Sequence, residues 1–207
     1  MKNMRTVIGC LTASAAIVLG CTMTTTLSAK AATSAAITQQ KKSVPSAKVV
    51  PVPDDWVTMS DDKKGYSFEV PDGTEYTKER SNGIDVFIAG TPEPSAVGVL
   101  VMAFKDPALS KADLVKVAMG GLEGLGAKNI KVGNLTELSP DYSLGSYTAI
   151  NGEGKPVRGK VLVAIDKTDN YVMLVGSEES DYKANEKIID AIWGSFSMRS
   201  GGASGKS

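Results

Sequence analysis

The chain has 207 residues, 42% of them hydrophobic and 22% charged, with 23 basic residues balanced by 23 acidic ones. That length fits one domain with appendages, and the lack of a basic excess argues against a surface that tracks nucleic-acid phosphates. There is no histidine, and both cysteines, Cys10 and Cys21, fall in the first 21 residues; this excludes imidazole acid–base or metal chemistry, and disulfides or catalytic thiols in the rest of the chain.

Met1 to Arg5 is a basic start, and Thr6 to Gly20 is a fifteen-residue run that is apolar or small throughout. This is the layout of a secretory signal, too short to span a bilayer, which takes about 20 apolar residues. Val18-Leu19-Gly20-Cys21 closes the run. These four residues resemble the lipobox of bacterial lipoproteins, which implies cleavage before Cys21 and a lipid on its thiol. The small Gly20 admits the peptidase. Cys10, after Val7-Ile8-Gly9, has almost no apolar run before it. The alternative is ordinary secretion with cleavage after Ala31, because Ala29-Lys30-Ala31 also reads as a signal-peptidase site. A form beginning at Cys21 loses Lys2 and Arg5 and carries 21 basic against 23 acidic residues, a net charge of −2.

Residues 22–53 are rich in Thr, Ser and Ala and end in Val-Val-Pro-Val-Pro. Such a composition has too little apolar surface to offset ordering entropy. It predicts a flexible tether spanning roughly 30 Å r.m.s.. The folded domain is expected over 54–199, with a frayed tail over 200–207.

Within that domain Trp56 opens the folded part, and Tyr66-Ser67-Phe68-Glu69-Val70 alternates apolar and polar residues as a half-buried strand does. Pro71-Asp72-Gly73 closes it with a turn. Gly83 to Ala89 and Val97 to Phe104 read as further strands, separated by the proline-bearing loop Thr91 to Ser95. After Asp106-Pro107, Ser110 is placed as a helix N-cap. Leu114, Val117, Ala118, Gly121, Leu122 and Leu125 then form one apolar face, which Gly126 ends. Gly120, Gly121 and Gly124 weaken this helix by about 1 kcal/mol each relative to alanine, so close approach to a sheet is expected there. Ile130 to Leu138, Leu144 to Ile150, Val157 to Ile165 and Tyr171 to Ser177 read as strands joined by short turns, which force antiparallel neighbours. A last helix begins near Asp181, with Glu178, Glu179 and Asp181 suited to its N-terminal dipole. Ile188, Ile189, Ile192, Trp193 and Phe196 form its apolar face. The order of elements is that of an α+β fold.

Gly65-Tyr66-Ser67-Phe68-Glu69-Val70-Pro71-Asp72-Gly73, the helix after the third strand, the run of hairpins and the closing Ile192-Trp193-Gly194-Ser195-Phe196 together resemble the PsbP-like superfamily, including its bacterial DcrB-type envelope proteins. The resemblance covers about residues 56–198. It implies a curved antiparallel β-sheet flanked by helices, in proteins that mostly act as non-catalytic binding or assembly factors. Some members bind metals through histidines, which this chain lacks. The expected function is therefore a non-catalytic, lipid-anchored cell-envelope module with no cofactor or metal, attached to a membrane and binding an envelope protein partner. If the cell has an outer membrane, Thr22 in place of an aspartate after Cys21 resembles the sorting pattern that permits export there. The alternative is a small-ligand carrier or cryptic hydrolase working in a cleft between helix and sheet.

No other motif carries chemistry. Gly205-Lys206-Ser207 echoes the end of a phosphate-binding loop, but the first glycine of that motif falls at Ser200 and no helix follows. Asp166, Asp169 and Asn170 carry oxygens suited to calcium, yet these residue types make turns unaided. Asp54-Asp55 and Asp61-Asp62, beside Lys63-Lys64, read as a solvated face. Asn134-Leu135-Thr136 is a glycosylation sequon predicted to lie on a strand. Trp193 and Phe196 are predicted to be core.

Overall fold

The computed structural model describes residues 41–45, 50–81, 84–105, 109–167 and 169–199. The signal segment, Cys10, Cys21, the Ala31 site, Asp106-Pro107 and the tail over 200–207 lie outside the described residues.

Two antiparallel sheets and two helices make up the described part. The larger sheet contains β4 (Glu75–Ser81), β5 (Ile84–Gly90), β6 (Gly98–Phe104), β7 (Lys128–Val132), β8 (Thr136–Ser139), β9 (Tyr142–Ile150), β10 (Pro156–Ile165) and β11 (Asn170–Glu178). Its order is β4-β5-β6-β11-β10-β9-β7, with β8 also on β9. Two meanders, β4-β5-β6 and β9-β10-β11, are thus zipped together where β6 pairs β11, Val101 opposite Met173. The smaller sheet runs β1 (Lys41–Ser43), β12 (Ser197–Arg199), β3 (Tyr66–Val70), β2 (Val57–Asp61). Helix α1 spans Lys111–Gly124 and α2 spans Tyr182–Gly194.

The larger sheet is covered on both faces, which is why β6 and β11 read as near-continuous apolar runs rather than alternating ones. Val99, Val101, Ala103, Leu162 and Met173 face α2 and the smaller sheet, where Tyr66, Phe68, Ile189, Trp193 and Phe196 are buried. Leu100, Met102, Val161, Val163 and Leu174 face α1 through Leu114, Ala118 and Leu122. Trp193 and Phe196 are core, at 4% and 0% exposure.

Three sequence expectations are corrected, and one strand, β4, is added. The domain begins before residue 54: Lys41–Ser43 pairs with β12, and Val44 is buried while its N–H donates to the Phe196 carbonyl at 3.4 Å. A lysine-rich tripeptide has no strand signature, and its partner strand lies more than 150 residues away in sequence, Lys41 opposite Arg199 and Ser43 opposite Ser197. β4 was hidden by its charges, which suit a sheet edge. The single strand expected over Ile130 to Leu138 is two, because Gly133 and Asn134 interrupt it and both halves pair with β9. At α2, Asp181 is the N-cap but makes no side-chain capping bond. Glu178 and Glu179 instead bind Lys155 and Arg158, at 2.7 and 3.5 Å.

Candidate ligand cleft

Helix α1 is closed at both ends by its own sequence. The Ser110 hydroxyl accepts from the Asp113 N–H at 3.2 Å and donates to the Asp113 carboxylate at 2.6 Å. At the other end Gly126 sits at φ +90°, where only glycine is unstrained, and its N–H reaches the Glu123 carbonyl while that of Ala127 reaches Leu122. These two bonds are a complete Schellman stop. Gly121 meets the Met102 side chain on β6, as expected of a helix glycine, whereas Gly120 and Gly124 face open space.

Beneath the C-terminal end of α1 the sheet loses its side chains. Gly90, Gly98, Gly176 and Gly159 stand opposite one another across β5, β6, β11 and β10, and Gly159 stands opposite Tyr147 on β9. The Tyr147 ring lies over this row. A Cβ on Gly159 would come within 2.5 Å of Tyr147 Cε1, and one on Gly176 within 2.5 Å of Tyr147 Oη and 2.6 Å of the Arg158 carbonyl oxygen. With large side chains missing from this floor, helix and sheet leave a cavity of about 260 Å³, lined by Leu100, Leu122, Leu125, Tyr147, Ala149 and Leu174 among others.

Two loops form the mouth. Between β5 and β6, Thr91 and Val97 bond reciprocally, N–H to carbonyl at 2.9 Å and N–H to hydroxyl at 2.8 Å, and the loop so pinched presents Glu93, Pro94 and Ala96. Between β9 and β10, Asn151 Oδ1 accepts from the N–H groups of Glu153 and Lys155, at 3.0 and 2.9 Å. This turn sets Lys155 at the mouth, bonded to Glu178 at 2.7 Å and to Glu153 at 3.4 Å. These partners, Glu178 foremost, hold the Lys155 ammonium above the ordinary lysine range. Asp181 completes the rim. Tyr147 is 6% exposed and lines the cavity. Burial, with Tyr182 adding to it, pushes its hydroxyl above the ordinary tyrosine value, so it is a neutral donor facing an apolar space.

The residues singled out from sequence lie elsewhere. Asp166, Asp169 and Asn170 make the β10–β11 turn, with the Asp166 N–H bonded to the Asp169 carbonyl at 3.0 Å. The Lys42 ammonium sits 3.3 Å from Asp166 and 3.3 Å from Asp141. No group of three His, Cys, Asp or Glu able to hold a metal occurs among the described residues. Asp61 caps the turn at Lys63 and Lys64, and Asp62 pairs with Arg199, so the two are drawn to separate partners. No helix among the described residues is long and apolar enough to cross a membrane. The cleft residues went unread in the sequence, although two glycines inside strands, Gly159 and Gly176, are the pattern that marks close approach of another group.

Two sheets, with one helix against each face of the larger, make this a PsbP-like α+β fold. Among solved structures, the chain is similar to the cyanobacterial PsbP protein CyanoP of Synechocystis sp. PCC 6803, at 16% identity and a TM-score of 0.50, over 71% of this chain and 94% of that one. It is also similar to a protein of Bacteroides thetaiotaomicron VPI-5482, at 12% identity and a TM-score of 0.44, over 70% of this chain and 49% of that one. LpqN, involved in cell envelope biogenesis of Mycobacterium tuberculosis, is similar at 18% identity and a TM-score of 0.31, over 68% of this chain and 78% of that one. The chain matches no protein-family model, and no curated protein matches it in sequence.

Proposed function

We propose that this chain is a non-catalytic binding protein of the cell envelope, held to a membrane by a lipid on Cys21, with the cleft between α1 and the sheet as its binding site. One observation carries the reading: an apolar cavity of about 260 Å³ between helix and sheet, with Tyr147 in its wall and carboxylates and an ammonium at its mouth. Small-molecule sites are concave, mainly apolar and furnished with a few placed polar groups. This favours the ligand-carrying reading over docking of a protein on a sheet edge. The open edge at β4 carries Glu75, Lys78, Glu79 and Arg80, charges that discourage strand addition. The envelope protein partner expected from the sequence becomes the second reading, for delivery or receipt of the ligand.

A neutral fluorescent probe, N-phenyl-1-naphthylamine, tests the cleft. It should bind at one saturable site, and Leu125→Trp, which fills the cavity from the helix end, should weaken binding at least tenfold without lowering the melting temperature by more than a few degrees. Equal binding by both proteins refutes the site. For attachment, mass spectrometry of the mature protein should show a lipidated N-terminal Cys21; an unmodified chain starting at Ala32 refutes the anchor.

A further inference from the structure

We propose that the ligand of this cleft is a cationic amphiphile, an apolar amine of about ten heavy atoms in its body, with its ammonium at the rim and an oxygen acceptor placed to take the Tyr147 hydrogen bond. This rests on the reading of the cleft as a binding site and names the class of molecule it takes.

Size comes first. An apolar cavity of about 150 Å³ holds a benzene molecule, so a cavity of about 260 Å³ takes a body of roughly ten heavy atoms by the same proportion. That is a medium alkyl chain or a two-ring group, short of a full membrane lipid.

Charge selects the head. Three carboxylates, Glu93, Glu178 and Asp181, stand at the mouth against one ammonium, Lys155, a local balance of −2. Lys155 is also claimed by Glu178 at 2.7 Å and by Glu153 at 3.4 Å, which leaves it little capacity for an anionic head. Asp181 makes no capping bond to α2. An ammonium entering the mouth therefore meets two uncommitted carboxylates, and a fatty-acid carboxylate meets repulsion.

The interior selects one further feature. Tyr147 Oη lies over Gly176, where the missing side chain makes room for it, and the residue lines the cavity, so its O–H can donate to a ligand there. A purely alkyl ligand offers that donor no acceptor; an ether or carbonyl oxygen within the chain does.

Calorimetric titration of the folded protein with three matched ten-carbon probes, decylamine, decanol and decanoate, each below its micelle concentration, separates the possibilities. At about 20 mM salt the amine should bind at least tenfold more tightly than decanoate, and the ratio should shrink severalfold at 0.5 M salt as screening shortens the reach of the rim charges. The double variant Glu93→Gln/Asp181→Asn should bring the two affinities together. 3-(Heptyloxy)propylamine, which places an ether oxygen three carbons from the ammonium, should lose affinity severalfold in Tyr147→Phe, and decylamine should not. Decanoate binding as tightly as the amine overturns the cationic class while leaving the cleft as a site. An equal effect of Tyr147→Phe on both amines overturns the role given to the hydroxyl. If none of the probes binds the wild-type protein more tightly than it binds Leu125→Trp, the cleft reading itself fails.

Discussion

The same substitution, glycine to alanine, has opposite consequences at two positions of this chain. Gly120 is exposed on α1 with no atom within 4 Å of an added Cβ, so Gly120→Ala should stabilise the protein by up to about 1 kcal/mol. Gly176 lies in the middle of the larger sheet, where a Cβ meets Tyr147 Oη at 2.5 Å and a backbone carbonyl at 2.6 Å. The carbonyl cannot move without disturbing the ladder, so Gly176→Ala should destabilise by roughly 2–3 kcal/mol, as overpacking does. Thermal melts of the two variants should therefore shift in opposite directions. Adding Tyr147→Phe to Gly176→Ala should recover part of the loss by removing one of the two clashes. The helix glycine was readable from sequence as a cost to the helix. The strand glycines were readable only as oddities, because their partner Tyr147 comes from a neighbouring strand.

At the scale of elements, local chemistry and local structure agree best at α1. Ser110, the apolar spacing and Gly126 specify its start, face and stop, and all three are found where they were expected. Ser110→Ala should cost about 1 kcal/mol, measured by urea denaturation at pH 7. The Ser110 hydroxyl, with Lys116 adding to it, holds the Asp113 carboxyl below the ordinary carboxylate range. That contribution is present above the unfolded-state carboxylate pKa and is lost as pH falls through the lower folded value, so the penalty of Ser110→Ala should be smaller at pH 2 than at pH 7. β4 and the split of β7 from β8 show the opposite case. An edge strand of Glu, Tyr, Thr, Lys and Arg pairs because Tyr76 stacks on Phe87 at 5.1 Å and β5 supplies the ladder, not because its residues favour extended structure.

For the whole molecule, the decisive feature is that the two ends of the described chain meet. β1 pairs with β12, the Tyr142 hydroxyl donates to the Lys42 carbonyl at 2.8 Å, and Lys42 pairs with Asp141 and Asp166. Any tether between Cys21 and the fold is thereby limited to residues 22–40. A chain starting at Lys41 should melt at the same temperature as one starting at Cys21. A chain starting at Pro45 should lose roughly 1–3 kcal/mol. It exposes the Val44 site and leaves the buried Tyr142 hydroxyl without its acceptor, offset in part by the entropy of freeing four residues. Equal melting of all three would return the boundary to residue 54.

The sequence by itself determined the α+β class, the antiparallel hairpins, both helices and the burial of Trp193 and Phe196. These follow from periodicity, caps and turns that act over a few residues. Val18-Leu19-Gly20-Cys21 likewise carries the proposed address in four adjacent positions. Only the tertiary structure decided the second sheet, the entry of Lys41–Ser43 into it, and the cleft. Each depends on groups that meet across strands far apart in sequence: Lys41 with Arg199, Gly98 with Gly176, Gly159 with Tyr147. A pairing of that kind is set by sheet register, which no local stretch of residues encodes.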